Sequence, residues 1–141
     1  MRIISQYFDL MTSIVERSGT ASVEIDFDQI DATTGIVDGV LYFYDGSRLE
    51  FTERVSIQDR HPIKTVYRYQ YIRADNSIFR YDNAAHYPHL PNFPHHKHVG
   101  KERLPATEPT LSQVLSEVSA LLSEEAKDTP RGPKRRRRMR R

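Results

Sequence analysis

Apolar residues near the two ends of the chain recur at the three- and four-residue spacing of amphipathic helices. In residues 2–17 they form one stripe, and Ser18-Gly19 follows as a stop because glycine readily takes the left-handed conformation that ends a helix. A second stripe begins after Thr110, and Gln113 follows at the spacing of a capping box. The pattern therefore predicts an N-terminal and a C-terminal helix.

Between these helices, apolar and polar residues alternate with the two-residue period of β-strands. Asp45-Gly46 separates two alternating segments and predicts a hairpin, and Ala74-Asp75-Asn76 predicts a second one. The predicted strands are residues 21–30, 35–44, 48–57, 64–73 and 77–81. We therefore expect an α+β domain built on an antiparallel meander of about five strands.

The fourth predicted strand carries three tyrosines on one face. They are Tyr67, Tyr69 and Tyr71. Such a row is typical of a half-buried sheet face, and it is also an arrangement on which unpaired bases stack. Glu53 on the preceding strand lies among apolar residues, where a buried carboxylate is costly unless it is paired. We expect Arg68 or Arg73 to form that ion pair.

Residues 82–109 contain five prolines, a density that predicts a long loop without regular structure. Five of the six histidines of the chain fall in the same stretch: His86, His89, His95, His96 and His98. A loop of this length in a compact domain is usually functional or disordered. This segment, the His/Pro loop, therefore contains the candidate chemistry of the chain.

Three interpretations of the His/Pro loop are open. In the first, neutral imidazoles and Asp82 coordinate zinc or a similar ion, although the spacing matches no common zinc motif. In the second, His86, His96 and His98 act as general acid and base on a phosphodiester, with Asp82 orienting a histidine and Arg80 stabilising the charge of the transition state. In the third, the histidines only hold the loop against the sheet. The site hypothesis follows the second interpretation and includes no metal ligand.

Side chains outside the loop complete this hypothesis. A nucleic acid held by the site would stack on Tyr67, Tyr69 and Tyr71, and Arg73 and Lys97 would contact its phosphates. The sequence leaves open whether a cofactor is bound.

The net charge of +2 conceals an uneven distribution. Residues 131–141 contain eight basic residues and no acidic one, whereas the other 130 residues contain 13 basic and 19 acidic residues. We therefore predict a single domain at residues 1–126, followed by a disordered arginine-rich tail at 127–141. Such a tail binds nucleic acid, an acidic protein or a membrane surface, or it is simply solvated.

The composition also excludes several classes of protein. Without cysteine there is neither a disulfide framework nor a thiolate metal site. No apolar run approaches the roughly 20 residues that span a bilayer, and the first residues lack the apolar core of a signal peptide. We therefore expect a cytoplasmic protein without a membrane partner.

The segment FRYDNAAHYPHLPNFPHHKHVG, residues 79–100, resembles the signature of the TumE family of toxin–antitoxin proteins. The similarity is strongest at residues 79–84 and 93–98, extends to the hairpin at 41–47 and covers about residues 1–125. The histidines that match the family pattern are His86, His95, His96 and His98. His89 departs from the pattern, and the arginine tail lies outside the resemblance.

The resemblance implies the toxin of a type II toxin–antitoxin module, neutralised by a small antitoxin that is often a helix-turn-helix protein. Action on RNA or another nucleic acid, by a nuclease, is inferred from the side chains and not from the resemblance. The first alternative is a non-enzymatic nucleic-acid-binding or regulatory module that uses the basic tail. The second is a structural domain that only binds a partner.

Overall fold

The computed structural model describes residues 1–125 and 136–140, which form two helices and one mixed sheet of eight strands. In chain order the elements are α1 (Ile4–Glu16), β1 (Ser22–Gln29), β2 (Thr34–Tyr42), β3 (Arg48–Gln58), β4 (His61–Arg73), β5 (Asn76–Asp82), β6 (His96–Val99), β7 (Glu102–Pro105), α2 (Leu111–Glu125) and β8 (Arg136–Arg140). The strands lie side by side in the order β7-β6-β5-β4-β3-β2-β1-β8.

The predicted meander of about five strands was wrong, because it contains only β1 to β5. These five strands pair antiparallel in chain order, and both predicted hairpins are present. Ala74 and Asp75 form the turn of the second hairpin with positive φ angles of 49° and 62°. Three further strands extend the sheet at its two edges, and the parallel pair of β1 and β8 makes the sheet mixed.

Two of the additional strands come from the predicted His/Pro loop. β6 pairs antiparallel with β5 and with β7, and the turn between β6 and β7 includes Gly100 at a φ of 58°. Pro94 lies before β6 and Pro105 is the last residue of β7, so no proline interrupts the middle of either strand. The number of prolines in the segment predicted a loop, but their positions leave room for a hairpin.

The last strand, β8, comes from the predicted basic tail. It runs parallel to β1, with Ser22 opposite Arg136 and Asp26 opposite Arg140. Disorder was therefore wrong for these five residues, because backbone hydrogen bonds at a sheet edge do not require the apolar side chains on which the prediction rested. Residues 126–135 and 141, which the same prediction covered, lie outside the described residues. The domain boundary at residue 126 stays a prediction.

Both predicted helices are present and pack on one face of the sheet, the helix face. Thr110 and Gln113 form the predicted capping box: the Gln113 backbone N–H donates to Thr110 Oγ1 at 3.1 Å, and the Thr110 N–H donates to Gln113 Oε1 at 2.9 Å. The buried helix side chains are Ile4, Tyr7, Phe8, Met11, Val15, Leu111, Val114 and Val118. Gly35 lets α1 approach closely, since a Cβ there would lie 2.6 Å from the Phe8 ring.

The opposite face of the sheet, the open face, is polar. Because side chains alternate along a strand, every second residue of β1 to β7 points to it. Its acidic residues lie mostly on β1, β2 and β3, with one on β5: Glu24, Asp26, Asp28, Asp38, Glu50 and Asp82. Among β1 to β7, its arginines lie on β3, β4, β5 and β7: Arg48, Arg54, Arg68, Arg80 and Arg103. On β1 and β2 the charged residues of this face are therefore acidic, whereas arginines predominate on β4 to β7.

Candidate functional site

Four predicted site residues meet on the open face, where β5 pairs with β6. β6 pairs with β5 so that His96 lies opposite Asp82 and His98 lies opposite Arg80. Since residues two apart on a strand point to the same side, His96 reaches the carboxylate and His98 reaches the guanidinium. We call Arg80, Asp82, His96 and His98 the open-face cluster.

Asp82 is the centre of this cluster and is only 6% exposed. Its Oδ1 lies 2.8 Å from His96 Nε2 and accepts from the backbone N–H of Ala84 at 3.1 Å. Its Oδ2 accepts from Arg80 Nε at 3.0 Å. The carboxylate therefore fixes a histidine and an arginine at once.

His96 has an oxygen acceptor at each ring nitrogen. Its Nε2 faces Asp82 Oδ1, and its Nδ1 lies 2.9 Å from the carbonyl oxygen of Pro94. With Asp82 ionised, both nitrogens make hydrogen bonds only if both are protonated. The geometry therefore favours a His96 imidazolium, held in a site where the residue is 2% exposed.

His98 is held in the complementary state. Arg80 Nη2 lies 3.0 Å from His98 Nε2, and because a guanidinium only donates, this ring nitrogen must accept. His98 Nε2 also lies 3.4 Å from Asp82 Oδ2, but because both atoms are then acceptors this contact is not a hydrogen bond. Burial, and next the charges of Arg80 and Arg103, lower the pKa of His98 from 6.5 to about 4. His98 is therefore neutral at pH 7.

Tyr87 lies against both imidazoles and was missed in the sequence analysis. Its ring is T-shaped to His96 at 5.0 Å and to His98 at 5.9 Å between centroids. Its hydroxyl accepts from Arg103 Nε at 3.1 Å. The position of Tyr87 inside a histidine-rich segment was a weak sign of a role in the site, whereas no sequence pattern marked Arg103.

The other predicted catalytic histidine, His86, is exposed and joins the cluster only through Tyr87, with ring centroids 6.2 Å apart. His89 is exposed as well, and its ring lies 6.3 Å from that of Tyr87. His95 lies on the other side of the sheet, where its Nδ1 is 2.9 Å from the Tyr67 hydroxyl. The structure therefore separates the buried pair His96 and His98 from the half-buried His95 and from the exposed histidines.

The predicted nucleic-acid contacts do not lie at the open-face cluster. The three tyrosines of β4 are on the helix face and at most 1% exposed, so their rings are covered by the core: Tyr67, Tyr69 and Tyr71. Lys97 alternates with the two cluster histidines and instead pairs with Glu117 of α2 at 2.8 Å. Arg73 lies at the distant end of β4, 3.7 Å from Asp45.

Glu53 is fully buried on the helix face, and it is held by tyrosines. The hydroxyls of Tyr7 and Tyr69 donate to its two carboxylate oxygens. Burial and the Glu53 charge raise the pKa of both tyrosines, which keeps them protonated as donors. Arg68, expected to pair with Glu53, lies on the open face instead.

One set of three residues in the described part of the chain has its potential metal-ligand atoms within 4.8 Å of one another: Asp82, His96 and His98. The same cluster thus offers both acid–base groups and donor atoms for a cation. Within the described residues, neither helix has the length and apolar character needed to cross a bilayer.

Comparison with known proteins agrees with the resemblance seen in residues 79–100. The family model described as Toxin TumE matches residues 10–125, which include the whole open-face cluster. No curated protein and no solved structure matches the chain. Because the model covers most of the sequence, the chain belongs to the TumE toxin family.

Proposed function

We propose that this toxin of a toxin–antitoxin system cleaves RNA by general acid–base catalysis at the open-face cluster. The observation that carries the proposal is the pair of adjacent histidines in complementary states. The contacts of His96 favour a protonated ring, and those of His98 favour a neutral one. Cleavage of a phosphodiester by an internal hydroxyl needs a base to deprotonate that hydroxyl and an acid to protonate the leaving oxygen.

In this proposal His98 Nε2 removes the proton of a ribose 2′-hydroxyl, and the 2′-oxygen attacks the adjacent phosphorus. His96 exchanges its hydrogen bond with Asp82 for one to the substrate, and it donates its Nε2 proton to the 5′-oxygen as the phosphorus–oxygen bond breaks. The products are a 2′,3′-cyclic phosphate and a 5′-hydroxyl. Arg80 stabilises the additional negative charge on the phosphorus oxygens in the transition state.

Substrate binding would activate His98. In the free protein its lone pair accepts from Arg80. A bound phosphate attracts the Arg80 guanidinium and releases His98 Nε2. The negative charge of the phosphate also raises the pKa of His98 from about 4 towards neutrality, where a general base is most effective.

The surroundings of the cluster fit an RNA strand. Arg68, Arg80 and Arg103 place positive charge on three strands of the open face, where phosphates would bind. Tyr87 is half-buried above the imidazoles, and its ring can stack on a base. His86 next to it would contact the substrate at the rim.

The proposal is tested by inducible expression of the toxin in a bacterium while growth and RNA integrity are followed. The expression is repeated together with the gene adjacent to the toxin gene, where we expect the antitoxin to be encoded. His96→Ala and His98→Ala should each lower RNA cleavage by about 10²–10⁴-fold. His89→Ala and His61→Ala are matched controls, because both are exposed histidines outside the cluster, and they should remain toxic. Melting temperatures of the purified variants show whether each one is folded.

The cleaved ends identify the chemistry. The proposal expects 5′-hydroxyl ends and cleavage that persists in EDTA, whereas 5′-phosphate ends and loss of cleavage in EDTA would indicate a metal-activated water. Full toxicity of both cluster variants would refute the catalytic role. If toxicity required only the basic tail, the alternative of a non-enzymatic nucleic-acid-binding module would replace the nuclease.

A further inference from the structure

The guanidinium of Arg80 occupies a position that electron-pair donors surround. Arg80 Nη2 lies 3.0 Å from the lone pair of His98 Nε2, and Arg80 Nε lies 3.0 Å from Asp82 Oδ2. A cation is therefore already bound between an imidazole and a carboxylate. Another cation with the same preference for these donors can compete for the place.

His96 has the orientation that metal-binding histidines commonly have. Its Nδ1 faces the Pro94 carbonyl oxygen at 2.9 Å, and its Nε2 points to Asp82 Oδ1 at 2.8 Å. Metal-bound histidines usually donate one ring N–H to a carbonyl or carboxylate and use the other nitrogen as the ligand. A metal ion at Nε2 would thus satisfy His96 in its neutral form.

The donor set indicates which ions fit. Two imidazole nitrogens and one carboxylate suit Zn²⁺ and similar divalent transition metals, and they leave a fourth position open. The three ligand atoms lie within 4.8 Å of one another, so a small inward shift brings them to one ion. Asp82, His96 and His98 are each less than a tenth exposed, which protects bound metal from water.

We propose that the open-face cluster binds one divalent ion of the zinc class through Asp82, His96 and His98, with displacement of the Arg80 guanidinium. Binding would occupy the Nε2 atoms of both histidines. An ion there would inhibit RNA cleavage, and this consequence rests on the proposed function. The binding itself depends only on the geometry of the cluster.

The test is isothermal titration of the full chain with Zn²⁺ after treatment with EDTA and dialysis. The wild-type protein should bind one ion per chain. Asp82→Asn removes the negative charge of the carboxylate ligand and His98→Ala removes an imidazole ligand, so each should weaken binding by about tenfold or more. His89→Ala is the control for adventitious binding by exposed histidines and should bind like the wild type.

Arg80→Ala should have the opposite effect on Zn²⁺ affinity. It removes the competing cation and its repulsion of the metal, so Zn²⁺ should bind about tenfold more tightly. A misfolded variant could not produce this gain, and circular dichroism checks the fold of the weakened variants. RNA cleavage with and without Zn²⁺ is measured separately on a gel, which distinguishes inhibition of the toxin from binding of the ion.

Three results would overturn the metal site. They are no binding by the wild type, equal binding by Asp82→Asn and His98→Ala, and weaker binding by Arg80→Ala. Failure of the nuclease proposal would appear differently, as absence of RNA cleavage while Zn²⁺ still binds. The two proposals therefore succeed or fail independently.

Discussion

The positions of His96 and His98 along β6 decide which groups surround them. His96 and His98 point to the open face because they are two residues apart on β6, and Lys97 between them points to α2. The charges that surround His98 come from Arg80 on β5, Arg103 on β7, and Asp82 and His96. The net effect of burial and these charges favours the neutral imidazole.

This environment predicts how stability depends on pH. The pKa of His98 is about 4 in the folded protein and 6.5 when unperturbed, so between these values the unfolded chain binds more protons. The stabilisation from neutral His98 is therefore complete above about pH 6.5 and is lost as the pH falls to 4. As the pH is lowered from 7 to 4, the melting temperature should therefore fall less steeply for His98→Gln than for the wild type.

The matched control is His89→Gln, which changes an exposed histidine of the same segment. Its melting temperature should follow the wild-type pH dependence. If His98→Gln has the same slope as the wild type, His98 is not held neutral by its surroundings.

Among the elements, the buried Glu53 carboxylate joins α1, β3 and β4. Tyr7 of α1 and Tyr69 of β4 donate to it, and Lys64 Nζ donates to the Tyr69 hydroxyl at 2.7 Å. Lys64 also donates to the carbonyl oxygen of Pro109, just before α2. One chain of hydrogen bonds therefore connects both helices to the sheet.

Removal of one hydroxyl from this chain should be costly. Tyr7→Phe keeps the ring in the core but leaves one oxygen of a fully buried carboxylate without its donor. We expect a loss of about 1–3 kcal/mol in the free energy of unfolding, measured with urea. Tyr44→Phe, at a tyrosine that is 42% exposed, is the control and should change stability little. An unchanged Tyr7→Phe variant would show that the hydrogen bond contributes no net stability.

For the whole molecule, the two edges of the sheet have different protection. One edge ends in the β6–β7 hairpin, and the other ends in β8, whose Arg140 pairs with Asp26 at 2.7 Å between exposed side chains. Surface pairs of this kind are screened by salt. β8 therefore covers the backbone of β1 mainly by strand pairing, and its Met139 packs at the edge of the core.

A chain that ends at residue 135 should test this view of β8. Amide hydrogen exchange in residues 22–26 should become faster, because β1 is then an uncovered edge strand. The melting temperature should change little, and exchange in β6 and β7 at the other edge serves as the internal control. A fall of several degrees in the melting temperature would show that β8 contributes to the stability of the whole domain.

Membership in the TumE toxin family implies an antitoxin partner. Co-expression with the small protein encoded next to the toxin should therefore give one complex on size-exclusion chromatography and restore growth. Expression of the toxin alone is the control. Separate elution without rescue of growth would mean that the neighbouring protein is not the antitoxin.

Local sequence patterns determined the elements that bury apolar side chains. The stripes of α1 and α2, the capping box and the alternation in β1 to β5 were all predicted from the sequence, because each element must turn its apolar residues to one core. The histidine segment was also recognisable from composition and from its resemblance to the TumE family. The sequence alone therefore identified most of the core and the region of the candidate site.

Tertiary structure alone decided where the sheet ends and which side chains meet. β6, β7 and β8 form by backbone pairing at sheet edges, a process that leaves almost no apolar pattern in the sequence. Asp82 meets His96 through the register of β5 and β6, and the partners of Glu53 come from residues 46 positions before it and 16 positions after it. Such contacts depend on strand register and helix docking, which no short stretch of the chain specifies.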